Sequence, residues 1–237
     1  MTLAPRDRLI VPLDVPGLDE ARAIIKDLDD SVSFYKIGYQ LGFAGGFDLA
    51  RSLIEDGKDV FMDLKLLDID NTVEKGVVSV ASLGAKFLTI HAYPKAMRAA
   101  VAGKAGSELN LLGVTVLTSM DDADLSDAGY SLTATELVAK RAADARAAGM
   151  DGIVCSAQEA TAMRTIVGAH MAIVTPGIRP EGTDVGDQKR VMTPSRAIAA
   201  GADYLVVGRP ILEADNRKAM ARRIVADIEE ALVSRQA

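Results

Sequence analysis

Between residues 63 and 72 the chain reads Asp63-Leu64-Lys65-Leu66-Leu67-Asp68-Ile69-Asp70-Asn71-Thr72, directly after Asp59-Val60-Phe61-Met62. A strand here alternates its side chains from face to face, so Asp63 and Lys65 leave it on the same side. A carboxylate and an ammonium at the end of an otherwise buried strand are costly to desolvate unless they pair and serve a purpose there. Asp68 adds a third charge just beyond. An ordinary surface ion pair would explain an isolated D-x-K triplet. What separates the two readings is where the rest of the chain puts its polar residues.

They recur after apolar runs. Asp14 follows Leu9 to Leu13, Lys36 lies in the run 33–38, and Thr118 and Ser119 follow Leu111 to Leu117. Pro176-Gly177-Ile178-Arg179 follows Met171 to Thr175, and Gly208-Arg209-Pro210 follows Tyr204 to Val207. Glycines let backbone amides approach an anion, and an arginine can grip two of its oxygens at once, so the last two turns form a candidate phosphate site.

The elements that must position these residues alternate regularly. Apolar runs near residues 9–13, 33–38, 59–62, 86–90, 111–117, 152–155, 171–175 and 204–207 read as strands, each followed by a helical pattern. Val73, Val77, Val80 and Ala81 carry helical spacing up to Gly84, which has the position of a C-terminal cap. Thr133-Ala134-Thr135-Glu136 and Ser156-Ala157-Gln158-Glu159 have the form of capping boxes, and Thr193-Pro194 opens a helix with proline at its first position. Residues 121–130 read as an acidic loop. The polar, aperiodic segment from Arg179 to Met192 reads as a functional lid or binding loop. Eight strand-helix units without a linker predict one domain over 1–237, a single (β/α)8 barrel of the TIM type. In that fold the site forms at the carboxyl ends of the strands, the rim where Asp14, Lys36, Asp63, Lys65, Thr118, Arg179 and Arg209 fall.

Composition excludes several functions. The 237 residues are 49% hydrophobic and carry a net charge of -6, which gives no general attraction for nucleic acid or an anionic membrane. The single cysteine, Cys155, lies in an apolar run and reads as a packed core thiol, and a reducing compartment is expected. No leader pattern and no apolar run of about 18 residues is seen, so a cytoplasmic location is expected. The two histidines, His91 and His170, are too scattered for a histidine-rich metal site, and no dinucleotide fingerprint follows a strand.

The segment 63–72 resembles the orotidine 5'-phosphate decarboxylase family, whose D-x-K-x-x-D-I-x-x-T signature is complete as Asp63, Lys65, Asp68, Ile69 and Thr72. Further matches follow in order: Asp14, Lys36, Leu117-Thr118-Ser119, Pro176-Gly177-Ile178-Arg179, Gln188 and Val207-Gly208-Arg209. Two positions depart from the commoner bacterial form, Leu67 in place of histidine and Asp70 in place of proline.

The resemblance implies loss of carbon dioxide from orotidine 5'-phosphate without metal or organic cofactor. It implies an alternating network of Lys36, Asp63, Lys65 and Asp68, with Asp68 reaching in from the partner of a homodimer and Lys65 protonating carbon 6. It also implies that Asp14 and Lys36 hold the ribose, that Thr72, Thr118 and Ser119 hold pyrimidine and ribose, and that Arg179, Gln188, Gly208 and Arg209 serve the phosphate. The binding segment includes Leu64, Leu66, Leu67, Ile69, Asp70 and Asn71. His91 is expected to make a structural hydrogen bond outside the site. The nearest rivals are sugar phosphate decarboxylases and hexulose phosphate synthases, which are similar in their D-x-K-x-x-D strand but use a divalent metal; Ile69, Thr72 and the Gln188 loop point away from them. From another class, a catalytically silent barrel would have no need of the buried lysine.

Overall fold

A computed structural model of the chain describes residues 3–182 and 192–236. Eight parallel strands close into a barrel in sequence order: β1 (Leu9–Pro12), β2 (Phe34–Ile37), β3 (Asp59–Leu66), β4 (Phe87–His91), β5 (Asn110–Val114), β6 (Gly152–Val154), β7 (Ala172–Thr175) and β8 (Tyr204–Val206). Between them run α1 (Leu18–Leu28), α2 (Tyr39–Leu41), α3 (Phe47–Glu55), α4 (Asp70–Leu83), α5 (Pro94–Lys104), α6 (Asp122–Asp127), α7 (Ala134–Ala148), α8 (Ala160–Val167), α9 (Pro194–Ala199), α10 (Arg209–Leu212) and α11 (Arg217–Gln236). This is the (β/α)8 architecture that the alternation of elements predicts. One reading needs correction. The segment 121–130, whose sequence reads as an acidic loop, contains α6, capped by Asp121, whose side chain accepts from the amides of Ala123 and Asp124. Its six residues bury only Leu125, too little for a visible apolar period.

Strand alternation sorts the side chains into two cores. Outward residues such as Leu9, Val11, Tyr35, Ile37, Val60 and Met62 pack against the helices, whose buried faces repeat at helical spacing, as Ala21, Ile24 and Leu28 do in α1. Inward residues Ile10, Phe34, Phe61, Phe87, Leu112, Val174 and Val206 fill the barrel. The ring of Phe87 lies 4.9 Å from Tyr204 and 5.9 Å from Phe61, both edge-on, the arrangement that aromatic quadrupoles favour. This apolar layer is the floor of the site. Two residues further along each strand the same parity points inward again, so Pro12, Lys36, Asp63, Thr89 and Val114 form the next layer.

Helix ends follow their sequence signals. Thr133 and Ser156 each close a capping box, Gly84 caps α4 at φ 87°, and Thr193 accepts from the amide of Arg196 ahead of Pro194. Among the described residues no helix is long and apolar enough to cross a membrane.

Candidate active site

Above the aromatic floor four charged side chains form a line. Lys36 Nζ lies 3.0 Å from Asp14 Oδ1 and 3.3 Å from Asp63 Oδ2. Lys65 Nζ lies 2.8 Å from Asp63 Oδ1. The signs alternate as Asp14, Lys36, Asp63, Lys65, and both oxygens of Asp63 face an ammonium. The side chains of Lys36 and Asp63 are only 10% and 13% exposed, which makes their charge states a matter of partners rather than of water. Burial alone would lower the affinity of Lys36 for its proton, but Asp63 and Asp14 outweigh it and its pKa lies above that of an ordinary lysine. For Asp63 burial pushes the pKa up, and Lys36, Lys65 and hydrogen bonds from Lys65 and Thr89 bring it below the usual carboxylate value. Both groups are therefore held in their charged forms.

The strand carrying Asp63 and Lys65 is not regular. Met62 pairs with Leu88 and Leu66 with Ile90, so β3 spends four residues where β4 spends two. Lys65 sits in this bulge at φ 44°, in the left-handed region. Simple alternation thus gives the right pair for an incomplete reason: the bulge also shapes how Lys65 meets Asp63. Opposite the bulge lies Thr89, fully buried, whose hydroxyl accepts from the Lys65 amide at 2.9 Å and donates to Asp63 Oδ1 at 2.9 Å. Tyr39 donates to the carbonyl of Leu64 at 2.8 Å, and its ring lies 5.8 Å from Lys65 Nζ. Sequence reasoning missed both residues. The signal for Thr89 was its parity with Phe87; a threonine inside a β run otherwise reads as a plain strand former.

The line borders a cavity of about 770 Å³ that Asp14, Lys36, Asp63, Lys65, Thr118, Ser119, Arg179, Gly208 and Arg209 all line. In a ring of eight strands β7 stands across from β3, and Arg179, beyond β7, lines the same cavity as Asp63 and Lys65. Gly177 has φ 76°, a backbone that an L side chain adopts only under strain. A Cβ at Gly208 would come 3.0 Å from Pro12. Arg179 is buried and its amide donates to the Met192 carbonyl at 2.9 Å, which joins the two ends of the long segment after β7. Gln188, expected in that segment, lies outside the described residues.

The rest of the 63–72 signature does not line this cavity. Leu64 and Leu66 pack against the outer core. Asp68 is exposed and accepts the amide of Ile69 at 2.6 Å. Leu67 and Ile69 are 50% and 71% exposed, large apolar side chains turned to the surface. Asp70 pairs with Lys95 at 3.4 Å, and Asn71 and Thr72 are exposed in the first turn of α4. Leu67 instead borders a smaller cavity of about 180 Å³ together with His91 and Arg141. Burial and then the cations of Arg141 and Lys65 keep the His91 pKa below that of a free imidazole. Among the described residues no group of three or more histidine, cysteine, aspartate or glutamate side chains is placed to hold a metal ion.

Known proteins share this chain's sequence and shape. A family model described as Orotidine 5'-phosphate decarboxylase / HUMPS family matches residues 7–224. An orotidine 5'-phosphate decarboxylase of Afipia carboxidovorans is 62% identical over 224 residues, covering 94% of this chain and 95% of that one. One from Rhodopseudomonas palustris is 60% identical over 228 residues, covering 96% and 97%. The crystal structure of orotidine 5'-phosphate decarboxylase from Lactobacillus acidophilus superposes with a TM-score of 0.83 at 34% identity, covering 93% of this chain and 98% of that one.

Proposed function

The chain belongs to the orotidine 5'-phosphate decarboxylase / HUMPS family, and from that premise we infer that it converts orotidine 5'-phosphate to uridine 5'-phosphate in pyrimidine biosynthesis. The observation that carries the reading is the alternation of Asp14, Lys36, Asp63 and Lys65 along one wall of a cavity that also holds Arg179 and Arg209.

The chemical obstacle is a carbanion at pyrimidine carbon 6, which has no neighbouring carbonyl to spread its charge. Fixed positive charge must do the stabilising, and it does so best where it needs no reorganisation during the reaction. The bond from carbon 6 to the carboxylate breaks, carbon dioxide leaves, and the electron pair stays on carbon 6. Lys65 Nζ, kept beside Asp63, then transfers its proton to that carbon and is left as a neutral amine. Asp63 near the departing carboxylate adds repulsion that product formation relieves. Asp14 and Lys36 hold the ribose hydroxyls, and Thr118 and Ser119 hold the base and ribose. Arg179, Gly208 and Arg209 grip the phosphate, and with Gln188 they convert that distant binding energy into orientation at the reacting carbon.

The active unit in this reading is a cytoplasmic homodimer. Asp68 and Thr72 are exposed and do not line their own cavity, and Leu67 and Ile69 beside them are exposed as well. That placement supports a role for Asp68, Ile69 and Thr72 in a neighbouring copy's site. Lys65→Ala and Asp68→Asn homodimers should each be nearly inactive, and subunit exchange should regenerate one intact site per mixed dimer. No recovery after demonstrated exchange removes the shared-site assignment.

The experiment that tests the function is the absorbance loss of orotidine 5'-phosphate with a strong chelator present. Full activity is expected. Absence of turnover, or activity that disappears on metal removal, overturns the reading and favours the metal-dependent sugar phosphate enzymes on the same barrel.

A further inference from the structure

We propose that Thr89 is a positioning residue for the decarboxylation: its one hydroxyl fixes both the backbone that presents Lys65 and the carboxylate that holds the Lys65 ammonium. The inference rests on the reaction proposed above. Lys65 is the residue asked to place a proton, yet it sits at φ 44° in a bulge where β3 has lost its regular pairing with β4. Such a conformation persists only when its surroundings fix it.

The Thr89 hydroxyl has the capacity to do so. It accepts the Lys65 amide at 2.9 Å, taking the place of a ladder carbonyl, and donates its single hydrogen to Asp63 Oδ1 at 2.9 Å. The same Oδ1 receives Lys65 Nζ at 2.8 Å. A closed circuit results: Lys65 amide, Thr89 hydroxyl, Asp63 carboxylate, Lys65 ammonium. Both ends of one lysine are tied to one buried hydroxyl, so loss of that oxygen frees the backbone and the head group together. Thr89 itself is fully buried and is not one of the residues that line the cavity. Removing its hydroxyl leaves a part-buried amide without an acceptor, and the bulge relaxes to recover one.

The test compares Thr89→Ser with Thr89→Ala, which lose the same methyl and differ only in the hydroxyl. With orotidine 5'-phosphate, kcat of Thr89→Ala should fall by roughly 10-fold to 100-fold, the scale of a small misplacement of a reacting group. KM should stay within about 2-fold, because the phosphate grip that dominates binding is remote from the bulge. Thr89→Ser should keep kcat within about 3-fold of the parent, since it preserves the hydrogen-bond circuit. Amide exchange at Lys65 supplies a readout independent of activity: slow in the parent and in Thr89→Ser, at least about 10-fold faster in Thr89→Ala. If Thr89→Ala does not fold, Thr89→Val keeps the volume without the hydroxyl and is compared with the parent. A hydroxyl-free variant with parental kcat and slow Lys65 exchange overturns the proposal, and so does a Thr89→Ser variant as impaired as Thr89→Ala. A parent protein inert toward orotidine 5'-phosphate overturns the functional reading instead, and amide exchange then still decides whether Thr89 fixes Lys65.

Discussion

At the amino ends of the strands, Asp151 holds Lys104 Nζ at 2.5 Å with one oxygen and accepts the amide of Leu111 at 2.7 Å with the other. At the carboxyl ends, Asp63 gives both its oxygens to ammonium groups. Asp203 combines the same two kinds of partner on a single oxygen, which pairs with Arg164 and accepts the amide of Ile173 at 2.9 Å. These lower carboxylates precede β6 and β8 and reach the backbone of the neighbouring strands β5 and β7, so each fixes how two strands meet. Asp63 and Lys36 fix each other. One end of the barrel uses charge to hold peptide groups in register; the other uses opposite charges, and one threonine hydroxyl, to hold charge.

Lys65→Ala tests that division most severely. Removing the proposed proton donor and half of the positive charge beside carbon 6 should lower kcat by about 10⁴-fold or more, the combined scale of general acid and electrostatic contributions. Stability should hardly change, because Asp63 keeps Lys36 as its partner and Lys65 is the more exposed of the two lysines. Steady-state kinetics and a thermal melt check both halves. A variant that loses its fold together with its activity would place Lys65 with the lower, structural pairs.

The converse is Asp151→Ala. Lys104 loses its counter-ion and the Leu111 amide its acceptor, so the fold should lose about 1–3 kcal/mol, the cost of leaving a buried donor unsatisfied. Denaturant titration measures it. Turnover at a temperature well below the melt should stay within about 2-fold of the parent, as expected for a site with no contact to the charged line. A large fall in kcat would dissolve the distinction between the two ends.

The same contrast shows what a sequence makes legible. Lys36, Asp63, Arg179 and Arg209 stand out because charged residues are rare after apolar runs, and the barrel that unites them follows from the plain alternation of strand and helix patterns. Glycine and hydroxyl caps at Gly84, Thr133, Ser156 and Thr193 are local signals, read without knowing the fold. Thr89 was hidden because its function depends on a bulge in the neighbouring strand, and two unpaired residues leave no mark in a run such as Asp59 to Leu66. Helix α6 was hidden by shortness. That Asp68 and Thr72 lie exposed outside their own cavity could not be read from spacing, because nothing in the signature says where β3 ends and α4 begins.

The smallest effect is the pH dependence of the line itself. An unfolded aspartate titrates near pH 4, by the ordinary value of about 3.9. In the fold, burial opposes the charge of Asp63 but the two ammoniums and the hydrogen bonds prevail, so its pKa is depressed. A depressed carboxylate contributes stability that is fully present above the unfolded pKa and is lost as pH falls through the folded one. Lys36 is shifted upward, so its contribution is present below the ordinary lysine pKa of about 10.4 and is lost only as pH rises beyond it. The window in which Asp63 and Lys36 are both charged therefore spans neutrality with room on both sides. Denaturation midpoints of the parent and of Asp63→Asn should differ by a constant amount from about pH 7 down to about pH 5, and the gap should close only below about pH 4. Groups common to both proteins titrate alike and cancel in the difference. A gap already closing near pH 6 would mean that burial, not the ammoniums, governs Asp63.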